Sequence, residues 1–182
     1  DGAAATLIEA GGQPGIGGFA LGTDGTGSRN LIVETGAMRR ARTAETCVPK
    51  ADESGNVRSE DNLYMNGPEI FNFTLDVVPE SVGRALEANG LAMRDVDLFV
   101  FHQANAFMLN ALRKMIRIPE DRFFVDIADI GNTVSSSIPI ALARAESAGR
   151  LKEGMKVMLA GFGVGLSWGA TVVTWFKKGE ST

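Results

Sequence analysis

Apolar residues along this chain fall in short runs separated by glycine-rich or charged breaks. "AAATLIEA" (3–10) reads as a strand of small and apolar residues, "GGQPG" (11–15) as a turn, and "IGGFALGTDG" (16–25) as a second strand weakened by its glycines. Residues 24–62 are mostly polar and predict a long surface excursion, with at most a short strand at "LIVET" (31–35). From residue 68 the period lengthens. Ile70, Phe71, Leu75, Val78, Val82 and Leu86 recur at helical spacing over 68–89. Pro68 suits a first helical position and Gly90 a C-terminal stop. Pro79 inside that pattern predicts a kink or two abutting helices.

"VDLFVF" (96–101) is apolar on both faces, the pattern of a strand covered on both sides. Residues 104–117 predict a helix with Phe107, Met108, Ala111, Leu112 and Met115 turned inward. "RFFVDI" (122–127) is a further strand, and "SSSIPIALARAESAGR" (135–150) a helix with Pro139 in its first turns. "GMKVMLAGFGVG" (154–165) reads as a strand running into a glycine-rich turn, and "LSWGATVVTWF" (166–176) as the strand that returns from it. So short a turn implies a hairpin, hence an antiparallel pair. Strands alternating with helices give an α/β layer structure with a mostly parallel core.

Composition narrows the classes. The 182 residues are enough for one domain with a full core, and 45% hydrophobic with 22% charged residues is ordinary for a soluble globular protein. The longest apolar runs fall short of the roughly 18 residues a membrane helix needs, so no membrane span is expected. The net charge of −4 argues against nucleic acid as the main partner. One cysteine and one histidine can form neither an internal disulfide nor a Cys/His zinc cluster, so no metal is expected. A lone cysteine fits a reducing, cytoplasmic compartment. The first residues carry no signal-peptide pattern. The opening "DGAAATLIEA" lacks a methionine, and Asp1 and Gly2 resemble the end of a turn, so the chain reads as a fragment of a longer protein.

Three of the expected strands end in unusual sequences. One ends at "HQAN" (102–105), with the single histidine of the chain; a second leads into "DIGNTVSSS" (129–137); the third ends at "GFGVG" (161–165). Ligand sites of open α/β sheets lie at the carboxyl ends of strands, so His102, Asn132 and the 161–165 loop are expected to converge. A neutral imidazole and a carboxamide can both donate hydrogen bonds without adding charge. Aimed at a thioester carbonyl, they would stabilise the enolate that develops as a carboxylate leaves as carbon dioxide. Plainer readings exist for each residue. His102 suits a satisfied strand-end histidine, "GN" a turn, and Phe71, Phe73 and Phe107 the core. "GFGVG" lacks the spacing of a dinucleotide-binding loop. Cys47, in "AETCVPKADESG", sits in what reads as a solvated loop.

Taken in order, "MNGPEIF" (65–71), "HQAN" (102–105), "GNTVSSSIP" (131–139) and "GFGVGLSWGA" (161–170) resemble the C-terminal half of a β-ketoacyl-acyl-carrier-protein synthase III. The resemblance covers nearly the whole chain, which it makes a single domain over 1–182, the C-terminal half of a thiolase-like αβαβα fold. It implies a mixed, mostly parallel sheet with helices on its faces and a C-terminal antiparallel hairpin. It implies an acyltransferase that joins an acyl group from acyl-CoA to malonyl-acyl-carrier protein with loss of carbon dioxide, starting fatty acid biosynthesis in the cytoplasm as a homodimer, with no added cofactor. A thiolase-fold acyltransferase of secondary metabolism and a non-catalytic thiolase-fold subunit are the alternatives. The resemblance assigns decarboxylation to His102 and Asn132, the pantetheine tunnel to Gly67, Phe71, Ala104 and Asn105, and a place beside the nucleophile to Phe162. It leaves Arg113, Lys114 and Arg117 to dock the acidic carrier protein, because Phe107 stands where the family often has an arginine. Val164 replaces a glycine common in the third motif. The nucleophilic cysteine of the family belongs to the other half, and Cys47 does not occupy its place, so the fragment alone is expected to be inactive.

Overall fold

The structure is a computed structural model that describes residues 2–176. The chain divides into two units. Of the described residues, the first holds 2–22, Phe73–Phe162 and 168–176; the second holds Thr23–Asn72 and Gly163–Ser167.

The sheet begins with β1 (Ile16–Thr23). The excursion that follows contains a 3₁₀ turn at Gly25–Asn30 and four two-residue strands: β2 (Leu31–Ile32), β3 (Lys50–Ala51), β4 (Val57–Arg58) and β5 (Tyr64–Met65). β2 pairs antiparallel with β5, and β3 with β4. Only the first two residues of the expected strand 31–35 are therefore paired. Then come α1 (Gly67–Ala88), β6 (Leu98–Phe101), α2 (Ala106–Ile116), β7 (Phe123–Phe124), α3 (Ser137–Ser147), β8 (Lys156–Gly163) and β9 (Ser167–Thr174). α1 runs unbroken through Pro79, so of the two expected outcomes, a kink or two abutting helices, the second is not found. Of the expected strand 122–127, only Phe123–Phe124 pairs.

The five-stranded sheet has the order β1-β9-β8-β6-β7. β6 is parallel to both neighbours, with Phe99 opposite Phe123 and Phe101 opposite Ala160. β9 follows β8 after residues 164–166, too short a link for a parallel crossover, so this pair is antiparallel. Beyond β9, Thr174 N donates to Gly15 O at 2.8 Å, while Gly22 lies against the Trp168 indole at the other end. Positions on β1 rise as those on β9 fall, so this pair is antiparallel too. The result is the mixed sheet that the alternation of elements predicts: a parallel core of β8, β6 and β7 beside an antiparallel flank.

All four residues of β6 are buried, as an all-apolar strand requires if both faces are covered. On one face Leu98 and Val100 pack with Ala141 and Ala145 of α3 and with Leu151 and Val157. On the other, Phe101 meets the rings of Phe99 and Phe123 edge-on, at 6.3 and 5.1 Å between centroids. The glycines of β1 admit a close neighbour. Asn89, just beyond α1, accepts from Gly18 N at 2.8 Å and donates to Gly18 O at 3.0 Å, and a side chain on Gly17 would collide with it.

Residues 3–10 are not a strand. Leu7 is 76% and Ile8 71% exposed. A strand exists only through its hydrogen-bonded neighbours, and among the described residues none pairs with this segment. Asp1 lies outside the described residues.

Candidate active site

Because β6 and β8 are parallel, their carboxyl ends lie on one edge of the sheet. His102 extends the ladder one residue past β6, its N–H donating to Ala160 O at 2.8 Å. Two residues further along β8, Phe162 meets the imidazole edge-on, 5.3 Å between centroids. The other side of the ring is held from α3. His102 Nδ1 is 2.7 Å from Oγ of Ser137, the buried first residue of that helix. Ser137 Oγ in turn donates to Val134 O at 2.8 Å and accepts from Gln103 N at 3.3 Å. Burial pushes the His102 imidazole below its ordinary value of 6.5, and the Val134 carbonyl partly opposes that shift.

Asn132 sits in the loop between β7 and α3, after Gly131, whose φ of 68° glycine adopts without penalty. Its Oδ1 accepts from Val134 N at 2.9 Å. A backbone N–H needs an oxygen acceptor, so this bond fixes which way the carboxamide points and leaves Nδ2 to donate elsewhere. Val134 itself has a φ of 54°, rare for a β-branched residue. That one residue gives its N–H to Asn132 and takes the Ser137 hydroxyl on its C=O. Asn132, Val134, Ser137 and His102 thus form a continuous chain of hydrogen bonds, although 30 residues separate its ends in sequence.

Gln103 anchors the loop from below. It is 1% exposed, and its side chain donates to Phe101 O at 2.7 Å and accepts from Asp126 N at 2.8 Å. Asp126 then meets Arg144 of α3 at 3.2 Å, and Arg144 meets Asp129 at 2.9 Å. The Arg144 guanidinium holds the Asp129 carboxyl below the usual carboxylate range. Loop residues 126–134 are therefore tied to β6 at one end and to α3 at both. Sequence reasoning gave no role to Ser137; the run of three serines before a helix was its only signal, and nothing in it singled out the third.

The other expected site residues are placed as follows. Ala104 N donates to His102 O at 2.9 Å, forming the bend between β6 and α2. Asn105 caps α2, its Oδ1 accepting from Met108 N at 2.8 Å. Gly67 and Phe71 lie in the first turns of α1, in the second unit; Gly67 is exposed and Phe71 half-buried. Arg113 is turned to its own helix end. It donates to Ile118 O at 3.4 Å and to Asn110 Oδ1 at 3.2 Å, and pairs with Glu120 at 3.5 Å. Lys114 and Arg117 are exposed, and Arg117 closes α2 in the left-handed conformation. Phe107 and Met115, expected in the core, are exposed instead; Phe107 is 74% exposed, and Leu109 is buried in their stead. Cys47 lies in an exposed turn of the second unit. No group of acidic, histidine or cysteine side chains among the described residues could hold a metal. None of the described helices is long and apolar enough to cross a membrane.

Comparison with known proteins places the chain in a family. Residues 86–175 match the family described as 3-oxoacyl-[acyl-carrier-protein] synthase III C terminal. β-Ketoacyl-[acyl-carrier-protein] synthase III of Gloeobacter violaceus is 37% identical over 96% of this chain and 51% of its own length. That of Clostridium acetobutylicum is 36% identical over 97% and 51%. A crystal structure of a 3-oxoacyl-(acyl-carrier-protein) synthase III superposes with a TM-score of 0.88 at 46% identity, over 93% of this chain and 50% of that one. The Thermus thermophilus synthase III gives 0.75 at 38%, over 92% and 48%. A priming β-ketosynthase of the R1128 polyketide pathway gives 0.74 at 31%, over 91% and 46%. The chain spans about half the length of these relatives. With its thiolase-like α/β fold, it belongs to the 3-oxoacyl-[acyl-carrier-protein] synthase III family, whose C-terminal region it matches.

Proposed function

We propose that this chain is the C-terminal half of a decarboxylating condensing enzyme that starts fatty acid biosynthesis. The observation that carries the reading is the hydrogen-bonded chain from His102 to Asn132 at the carboxyl edge of the sheet. Each side chain is anchored through one polar atom, His102 through Nδ1 and Asn132 through Oδ1, which leaves Nε2 and Nδ2 for a ligand. The two curated relatives, 37% and 36% identical, are both β-ketoacyl-[acyl-carrier-protein] synthases III, which supports this reading over secondary metabolism.

In the complete enzyme an acyl group from acyl-CoA is carried on a cysteine of the other half. The malonyl thioester of the carrier protein then loses its carboxylate. The bond from the α-carbon to the carboxylate breaks, carbon dioxide leaves, and the electron pair passes to the thioester as an enolate. Asn132 and His102 stabilise the enolate oxygen. The α-carbon attacks the acyl-cysteine carbonyl and the cysteine thiolate departs, giving the β-ketoacyl carrier protein. Phe162 stands beside the reacting groups. Ala104 and Asn105 contact the pantetheine arm, the role that the family resemblance also gives Gly67 and Phe71. Lys114 and Arg117 offer cations to the acidic carrier protein, whereas the inward bonds of Arg113 support a role in holding the end of α2. The complete enzyme is a cytoplasmic homodimer. Turnover tests the proposal. The full-length protein should release carbon dioxide from malonyl-carrier protein and form an acetoacetyl product with acetyl-CoA, while residues 1–182 alone form none. Condensation by the 182-residue chain, or none by the full-length protein, would overturn it.

A further inference from the structure

Asp126 follows β7, and its side chain is only 18% exposed. Oδ1 accepts from Arg144 Nη1 at 3.2 Å, and among the described residues Oδ2 has no hydrogen-bond partner. Arg144 is the one ion-pair partner of Asp126 among those residues. The same Nη1 also donates to both carboxylate oxygens of Asp129, at 2.9 and 3.0 Å. An exposed ion pair contributes little, and Asp129 is 67% exposed, so water would screen its charge if Arg144 were removed. Asp126 is different. Without Arg144 it would keep a charge where most water is excluded, with Asp129 as a like charge beside it. A carboxylate stranded in that way is strongly destabilising, and the readiest relief is for residues 126–129 to turn outward.

That motion would reach the site at two points. Gly131 N donates to Ile127 O at 2.9 Å, closing a turn that leads directly into Asn132, so displacement of 127–129 carries Asn132 with it. Asp126 N donates to Gln103 Oε1 at 2.8 Å, so the same motion strips a partner from the residue after His102. We infer that Arg144 is a positioning residue: by neutralising Asp126 it holds the 126–131 turn against α3 and keeps Asn132 in place. Arg144 touches no reacting atom. Its effect exists only while Asp126 carries a charge, which separates it from a residue that merely packs. The consequence for decarboxylation rests on the proposed function; the charge pairing does not.

Three variants of the full-length protein test this: Arg144→Met, which keeps an unbranched stem without the charge, Asp126→Asn, and the two combined. Arg144→Met should slow carbon dioxide release from malonyl-carrier protein by about 10- to 100-fold, the scale set by misplacing a group at the site by up to roughly 1 Å. Acylation by labelled acyl-CoA should change far less. Asp126→Asn and the double variant should both release carbon dioxide at close to the wild-type rate, because neither leaves an unpaired charge at position 126. Unchanged release in Arg144→Met, an equal loss in both reactions, or a double variant as slow as Arg144→Met would each overturn the inference. If Arg144→Met does not fold, the double variant decides: near-wild-type release upholds the inference, and slow release or failure to fold overturns it. If the wild type itself releases no carbon dioxide, the proposed function falls, and urea midpoints decide the pairing. A midpoint that drops in Arg144→Met and recovers in the double variant upholds the pairing; one equally low in both overturns it.

Discussion

Val134 combines an exposed side chain, at 72%, with a backbone that only glycine adopts freely. Its packing is worth little, and its left-handed φ typically costs about 1–3 kcal/mol. Val134→Gly should remove that strain at an entropic cost of about 0.5–1 kcal/mol, a net gain of about 1 kcal/mol in urea unfolding. Val134→Pro should be strongly destabilising, because it cannot reach this φ and lacks the N–H that Asn132 receives. His102 makes a second residue-scale prediction. Burial lowers its folded pKa below 6.5, so below that pH the unfolded chain binds more protons than the folded one. Stability should therefore be constant on this account above about pH 7 and fall as pH drops through 6.5 toward the folded value. Asp129, also lowered, acts in a separate window below 3.8. Urea midpoints for wild type and His102→Gln between about pH 7 and 5 check this; equal slopes for the two proteins would contradict it.

At the scale of elements, α2 shows what hydrophobic spacing can and cannot resolve. Phe107, Met108, Ala111, Leu112 and Met115 form a stripe wide enough to be buried from either side. Tertiary packing chose the side of Met108, Leu109 and Leu112. Leu109→Ala should cost about 2–5 kcal/mol and Met115→Ala less than about 1. Asn105→Ala, by removing the cap, should cost about 1 kcal/mol. Chemical denaturation of the three variants ranks them. β6, α3 and the β8–β9 hairpin were legible because each carries its own signal: an all-apolar run, a helical period, a glycine turn between two apolar runs. The segments bearing His102, Asn132 and Phe162 were legible for the same reason, as polar or glycine-rich breaks after apolar runs. Ser137 and the left-handed Val134 were not. Their importance lies in where a hydroxyl and a carbonyl meet in space, and no periodicity encodes that.

For the molecule as a whole, what the sequence could not convey is the neighbour. Among the described residues the run 3–10 has strand composition and no strand to join, and β1 ends the sheet with Ile16, Phe19 and Leu21 exposed. An unpaired edge with exposed apolar side chains is a surface for association. The 182-residue chain should therefore self-associate in sedimentation velocity, with weight-average mass rising with concentration; a monodisperse monomer would contradict this. The central claim, that His102 and Asn132 carry the decarboxylation in the enzyme this chain completes, is tested most directly by carbon dioxide release. In the full-length protein, His102→Ala and Asn132→Ala should each slow release from malonyl-carrier protein by the factor that corresponds to about 2.7–4 kcal/mol. Acylation of the cysteine by labelled acyl-CoA, measured in parallel, should suffer far less. Equal losses in the two assays, or no loss in release, would contradict the account and return His102 to a structural histidine at the end of a buried strand.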